Sequence, residues 1–315
     1  MSQSVNLFLW GLQMTLDMPG TLGGAKIIFA DEIADNYINT KKENKMFFNI
    51  RPKIGIVGLG FVGNAIKDNM EHVCELILVD PPRGLQSKYE DLLDCEGVFV
   101  CVPSPQGDDG RCDTSFLESA LDKLASLGYT GVIISKSTAP PSVYKALQTK
   151  HKNLVHAPEF LTAADASRDY ANGKFAIIGG CVGAYQRDAE RIIRMGQSGI
   201  GDNVQFCTID EAALAKYTIN TYLATKVAFM NEIYSVATNS GMNYDTVISM
   251  VNMDKRIGSS HLKVPGPDGL FGFGGACFPK DTAALLKYAE EVGASMMVLD
   301  AAVKKNTLLR LTGPK

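Results

Sequence analysis

Ile54-Gly55-Ile56-Val57-Gly58-Leu59-Gly60-Phe61-Val62-Gly63 is an apolar run that passes into three glycines spaced G-x-G-x-x-G. A run of this kind predicts a strand, a tight turn and the start of a helix. The first glycine permits the sharp bend, the second lets a pyrophosphate approach the backbone, and the third lets helix pack close to strand. The first N–H groups of the helix then present the positive end of its dipole to the phosphates. Alone, such a glycine pattern is only a glycine-rich turn. Here a second apolar run, Leu76–Val79, ends in Asp80, whose carboxylate is placed to accept hydrogen bonds from a ribose diol. Gly58, Gly60, Phe61, Val62, Gly63 and Asp80 are therefore expected to form a dinucleotide site that favours NAD. Arg83, close by, keeps a cofactor with a 2′-phosphate open.

Working outward, short apolar runs recur at Val98–Val102, Val132–Ser135, Leu154–His156, Phe175–Ile178 and Val204–Cys207. They are continuous and mostly β-branched, as expected of strands covered on both faces. Between them the spacing is helical, as at Phe116, Leu117, Ala120, Leu121 and Leu124. Alternation of this kind predicts an α/β fold with a Rossmann-type, doubly wound parallel sheet. After Cys207 the pattern changes. Asp210-Glu211 suits a first helical turn, and no Gly or Pro interrupts the chain up to Ser240, so one long helix is expected to end at Gly241. Further helices are expected at Asp245–Val251 and Thr282–Val292, around a glycine-rich loop at 265–276. The organisation read from the sequence is an N-terminal extension at 1–50, loosely ordered or a small accessory element. A NAD-binding domain follows at 51–207, then a mainly helical dimerisation domain at 208–315.

The chain has 315 residues, 46% hydrophobic and 21% charged, enough apolar material for a large core. A net charge of −3 and no basic cluster beyond Lys41-Lys42 and Lys45 argue against nucleic acid as a partner. Val5–Leu16 is apolar but too short to span a bilayer and follows no basic stretch, so neither a membrane partner nor a signal peptide is expected. The seven cysteines are scattered with no CxxC pair, which fits a reducing, cytoplasmic setting. The four histidines form no metal-ligand spacing, and no metal is expected.

Two stretches carry chemistry. In Gly272-Phe273-Gly274-Gly275-Ala276-Cys277-Phe278-Pro279-Lys280-Asp281 a cysteine sits in a glycine-rich loop, open to substrate, with Lys280 or a helix N-terminus at hand to favour a thiolate. Cys74, Cys95, Cys101, Cys181 and Cys207 read instead as small buried thiols. On the long helix, Lys216 and Asn220 are four residues apart and share a face, where together they suit an oxyanion or a water. A solvated polar face is the bland reading of that pair. Thr138 and Glu159 lie at the carboxyl ends of expected strands, where open α/β sheets bind ligands.

Taken together, Ile56–Gly63, Cys101–Pro105 with Asp113-Thr114, Lys136–Pro140, Pro158–Leu161, Asn220–Glu232, Asp254–Gly258 and Gly272–Asp281 resemble the UDP-glucose/GDP-mannose dehydrogenase family. The resemblance runs from about residue 53 to 300. Its CFPKD wording resembles the UDP-glucose 6-dehydrogenase branch more than the GDP-mannose or UDP-N-acetylmannosamine branches. It implies NAD-dependent oxidation of C6 of a nucleotide sugar to a carboxylate, with Cys277 holding first a thiohemiacetal and then a thioester. Lys216 and Asn220 would stabilise oxyanions, Asp281 and Thr138 would position the hydrolytic water, and Glu159 would assist acid–base steps. On the substrate side it implies Glu159, Phe160, Leu161, Lys216, Asn220, Phe273, Gly274 and, across the interface of a homodimer built on the long helix, Arg256. On the cofactor side it adds Pro103, Thr138 and Lys280. Two departures stand out. Thr162-Ala163 replaces a stretch where the family carries a glutamate, and no stretch here is expected to match the family's C-terminal UDP-binding domain. A relative acting on another nucleotide sugar and a catalytically silent NAD-binding subunit are the alternatives.

Overall fold

Lys53–Val57 (β3) has neighbours on both edges, pairing in parallel with Glu75–Val79 (β4) and with Gly97–Val100 (β5). The computed structural model describes residues 7–9, 12–14, 51–162 and 164–313. In the N-terminal unit, Leu7–Leu9 (β1) and Leu12–Met14 (β2) form an antiparallel pair with Leu9 opposite Leu12. Otherwise the extension expected at 1–50 lies outside the described residues.

From β5 the sheet continues through Val132–Ser135 (β6), Leu154–His156 (β7), Ala176–Gly179 (β8) and Val204–Cys207 (β9). The strand order is β4-β3-β5-β6-β7-β8-β9. The chain leaves β3 for β4 and then crosses back to β5 on the other side of β3. The order reverses there, so the carboxyl ends of β3 and β5 flank a crevice of the kind that binds ligands in open α/β sheets. Each strand lies within two residues of its expected position.

Helices Phe61–Met70 (α1), Ser115–Ser126 (α2), Pro141–Lys150 (α3), Ala166–Ala171 (α4) and Ala184–Gly196 (α5) cover the sheet. Alternate strand residues feed two cores. Ile54, Ile56, Phe99, Ile134 and Val155 pack with Tyr170, Ile192 and Ile193 on one face. Val57, Val98, Val100, Ile133 and Leu154 pack with Leu117, Leu121, Tyr144 and Leu147 on the other. Burial on both faces explains the continuous apolar runs. One pairing corrects the all-parallel expectation: β8 runs antiparallel to β7, with His156 opposite Gly179. The connection between them carries only the six-residue α4. That helix is tied to α1, where Asn69 Nδ2 donates to the Ser167 carbonyl at 2.9 Å, and it does not form a full return crossover.

The long helix, Ile209–Asn239 (α6), starts where the acidic pair predicted. Thr208 caps it, accepting the Glu211 N–H at 3.4 Å, while Glu211 Oε2 accepts the Thr208 N–H at 2.8 Å. Its N-terminal turn sits against the end of β8, because a Cβ on Gly179 would lie 2.5 Å from Ala212 Cβ. Over 31 residues it runs about 46 Å. Tyr244–Val251 (α7), Phe278–Glu291 (α8) and Met297–Thr312 (α9) each pack on it. Helix α9 goes beyond the sequence reading. Its N-terminus has no side-chain cap to announce it. Among the described residues no helix is long and apolar enough to cross a membrane.

Candidate active site

The glycine turn has the geometry its spacing predicts. Gly58 has φ +90°, and a Cβ there would lie 2.8 Å from the Cys101 carbonyl oxygen. A Cβ on Gly63 would overlap the Gly58 carbonyl oxygen, so α1 can approach β3 only with glycine at that position. Gly60 differs: nothing lies within 4 Å of the Cβ it lacks. Its φ of −72° suits any residue, so the fold does not demand glycine there. Open space at that point, over an N-terminus of α1 with no side-chain cap and no acidic residue in its first turn, fits a pyrophosphate. Asp80 closes the turn. Its Oδ2 accepts the Leu59 N–H at 2.7 Å and faces Arg83 Nε at 3.4 Å. Phe61 is 62% exposed at the helix start, and Pro103 is exposed just beyond β5.

Cys277 stands exposed at the N-cap of α8, where backbone N–H groups attract an anionic sulfur. Asp281, one turn on, is 1% exposed. Its Oδ2 accepts from Asn220 Nδ2 at 2.6 Å and its Oδ1 from Lys280 Nζ at 2.5 Å. Lys280 is thus bonded to Asp281. Lys216 is buried, and its ammonium donates to the Glu159 main-chain carbonyl and lies 4.8 Å from the centre of the Phe160 ring. Desolvation pulls Lys216 below the ordinary lysine range, opposed by the acidic groups of Asp281, Cys277 and Glu159 around it. Helix spacing therefore aims Lys216 and Asn220 inward, toward the loop that carries Cys277.

Four of the other thiols are held back by burial. Burial pushes Cys95 and Cys101 up to about 12 and Cys207 up to about 11, and raises Cys112, so all four stay protonated near neutrality. Cys181 corrects the sequence reading, for it is exposed. It lies in the turn between β8 and α5, beside Val182 at 93% exposure.

The remaining candidates divide. Thr138 is half-buried past the end of β6, and its carbonyl accepts from Cys112 Sγ at 3.3 Å. Glu159 and the partly buried Phe160 and Leu161 line a cavity of about 260 Å³ with Lys136, Asn172 and Gln197. Cys277, Lys216, Asn220 and Asp281 do not line it. Arg256 is exposed and forks onto Asp254, with Nη2 2.6 Å from Oδ2. The Phe273 ring is buried, in contact with Ala224, Ala228 and Ala302, and Gly274 lies against the Arg310 guanidinium.

Several residues had no signal in the local pattern. Lys136 holds the Glu159 carboxylate at 3.2 Å, with both side chains at or below 10% exposure. Lys226 on α6 donates to the carbonyls of Ile257, Gly258 and Ser260 at 3.0, 3.0 and 2.6 Å, fixing the stretch after Arg256. Asn306 and Arg310 on α9 hold the backbone of the glycine-rich loop. Each bridges elements far apart in the chain.

A reversed strand order, a glycine turn open at its second glycine and an acidic residue ending the next strand define a Rossmann-type, NAD-binding dehydrogenase fold. Residues 84–195 match the UDP-glucose/GDP-mannose dehydrogenase family, NAD binding domain, and residues 210–308 match the central domain of the same family. The chain belongs to the UDP-glucose/GDP-mannose dehydrogenase family. It is 32% identical over 227 residues to a UDP-glucose 6-dehydrogenase of Rickettsia bellii, a match covering 69% of this chain and 50% of that protein. Over 224 residues it is 30% identical to the UDP-glucose 6-dehydrogenase TuaD of Bacillus subtilis, covering 68% and 47%. In fold it is similar to a UDP-glucose dehydrogenase from Pyrobaculum islandicum, with TM-score 0.69 at 23% identity, covering 82% of this chain and 68% of that one. The matched region thus spans about half the length of these curated relatives.

Proposed function

We propose that the chain oxidises the C6 hydroxyl of a nucleotide sugar to a carboxylate, UDP-glucose to UDP-glucuronate, through a covalent intermediate on Cys277. One observation carries this reading. An exposed cysteine at a helix N-terminus is followed one turn on by a buried Asp281, which is bonded to Asn220, and a buried lysine lies in the same charged neighbourhood. Bound NAD would supply the hydride acceptor for each of two oxidations. Gly58, Gly60, Gly63 and Asp80 would hold it, with Phe61, Val62, Arg83, Pro103, Thr138 and Lys280 around it.

In the chemical steps the C6 alcohol loses a proton and a hydride to become an aldehyde, and Cys277 Sγ adds to its carbonyl carbon. The thiohemiacetal oxygen is stabilised by the Lys216 ammonium and by the Asn220 N–H that Asp281 leaves free. Loss of a second hydride and a proton gives the thioester. Water then adds at the carbonyl carbon, the C–S bond breaks, and the thiol and carboxylate separate. Asp281 and Thr138 position that water. Holding the aldehyde on sulfur keeps a reactive carbonyl from escaping between oxidations. Glu159 supports Lys216 through its main-chain carbonyl, and its carboxylate is available for acid–base work only by leaving Lys136. Leu161, Phe160 and Gly274 frame the sugar, and Arg256 reaches it across the dimer interface.

A homodimer through α6 belongs to the same reading. Tyr222, Phe229 and Val236, seven residues apart, are 62%, 54% and 58% exposed and form an apolar stripe along the helix. The test is stoichiometric. Purified protein is mixed with NAD and a panel of UDP- and GDP-sugars while NADH absorbance is followed. Two NADH per UDP-glucose are expected, and turnover with a different sugar only would reassign the substrate. NAD binding with no turnover on any sugar would favour a silent subunit, a reading prompted by the half-length match to the relatives. Cys277→Ser should stop oxidation short of the acid.

A further inference from the structure

We propose that Asn306 and Arg310 of α9 are positioning residues that hold the Cys277 loop in its working shape, and that the glycine at 274 leaves the room the Arg310 guanidinium occupies. This rests on the reading of Cys277 as nucleophile. All but one of the contacts that Asn306 and Arg310 make here fall on backbone groups of the loop. Asn306 Oδ1 accepts the Phe273 N–H at 2.6 Å, and Asn306 Nδ2 donates to the Phe273 carbonyl at 3.0 Å. The same carbonyl accepts from Arg310 Nε at 3.0 Å. Arg310 Nη2 donates to the Gly272 carbonyl at 3.2 Å, and Nη1 reaches Asp268 Oδ2 at 2.7 Å. From the opposite side, Asn231 Oδ1 on α6 accepts the Gly272 N–H at 3.0 Å. The backbone of residues 272–273 is thereby pinned between two helices, four residues before the nucleophile.

The glycines confirm where the room has gone. A Cβ at Gly272 would overlap Asn306 Oδ1, and a Cβ at Gly274 would overlap the Arg310 guanidinium. Gly272, at φ +76°, and Gly275, at φ +77°, are also glycines of left-handed turns, a reason that Gly274 does not share. A loop whose backbone N–H and C=O groups are held by side chains has one shape. Without those side chains it has many, and a nucleophile displaced by about 1 Å loses on the order of a hundredfold in rate. Amide and guanidinium are well suited to this task, because each fits a peptide group in a planar, directed way.

The experiment compares wild type with Asn306→Ala, Asn306→Asp, Arg310→Ala and Arg310→Lys in the full chain. The readouts are amide hydrogen exchange at Phe273, labelling of Cys277 by iodoacetamide followed by peptide mass spectrometry, and steady-state kinetics with NAD and UDP-glucose. In Asn306→Ala the Phe273 amide should exchange about tenfold faster or more, since its acceptor is gone. Labelling of Cys277 should slow severalfold, and kcat should fall about tenfold or more with the KM for NAD unchanged. Asn306→Asp keeps the acceptor for the Phe273 N–H and should recover most of the exchange protection, which a loss of general stability would not do. If Asn306→Ala fails to fold, Asn306→Asp and Arg310→Lys carry the test through their smaller kcat losses at unchanged KM for NAD. Wild-type exchange, labelling and kcat in the folded variants would overturn the proposal. Should the wild type turn over no sugar, the enzymatic reading fails on its own, while exchange and labelling still decide whether α9 holds the loop.

Discussion

The ammonium of Lys216 is bonded to the main-chain carbonyl of Glu159, while the Glu159 carboxylate lies 3.2 Å from the ammonium of Lys136. One residue thus serves two lysines with two different groups. A carbonyl contact survives substitution of the side chain, but the carboxylate contact does not. Glu159→Gln should therefore leave Lys216 in place and leave Lys136, at 3% side-chain exposure, without its counter-charge. Breaking a buried pair from one side costs about 3 kcal/mol or more. Urea unfolding should report that loss, and Glu159→Gln combined with Lys136→Met should recover part of it. A double variant no more stable than the single would mean the two side chains act independently.

On the proposed mechanism, Lys216 sets the alkaline side of the reaction. Burial lowers its pKa from the usual 10.5, so on raising the pH it loses its proton before a free lysine would. The charged form is the one that stabilises an oxyanion, so kcat should fall with rising pH at a midpoint below 10.5. Lys216→Arg stays charged throughout that range. Its profile should lack the alkaline fall whatever its absolute rate, and an unchanged fall in the variant would assign that limb to another group.

The glycine turn separates fold from cofactor. Gly60 has open space where its Cβ would be and an ordinary φ, whereas a Cβ on Gly63 meets the Gly58 carbonyl. Gly60→Ala should keep the melting temperature of the wild type and weaken NAD binding by at least about tenfold. Gly63→Ala should lower stability by about 2 kcal/mol, the usual cost of forcing an extra methyl into packed backbone. Titration calorimetry and urea unfolding on the two variants check the split. Equal loss of stability in both would show that Gly60, too, is required by the fold.

What was legible in the sequence depended on whether a signal was local. The strands from β3 to β9 announce themselves as continuous apolar runs because both faces of each are covered. Helix α6 is readable from its capping pair and its freedom from Gly and Pro. Lys216 and Asn220 are readable as a pair because four residues is one helical turn, and Asp281 because it follows Cys277 by the same spacing. The partners that complete the site were not readable. Lys136 meets Glu159 across 23 residues and Asn306 meets Phe273 across 33, and no periodicity links positions so far apart. The antiparallel sense of β8 was hidden for a related reason, since an apolar run has no direction. Cys181 was misread because its neighbours are apolar and small, yet they form a turn at the surface.

His156 makes a prediction about acid stability that follows from the same buried region. It ends β7, is 1% exposed, and stacks on Tyr144 with ring centres 4.1 Å apart. Its Nδ1 lies 3.1 Å from the Ser135 carbonyl, so Nδ1 carries the proton and Nε2 has none. Burial, together with the charges of Lys136 and Lys216, outweighs that bond and pulls its pKa from 6.5 down to about 3. The unfolded chain takes up a proton as the pH falls through 6.5 and the folded chain does not until about 3, so stability is complete above 6.5 and drains away across that window. Between pH 7 and pH 5 the loss from this group is about 2 kcal/mol. Most carboxylates remain ionised over that range, which isolates the histidine. Urea unfolding at the two pH values should give that drop for the wild type and little of it for His156→Phe, which keeps the stacked ring but cannot take a proton. Equal drops in the two proteins would mean that some other group drives the acid transition.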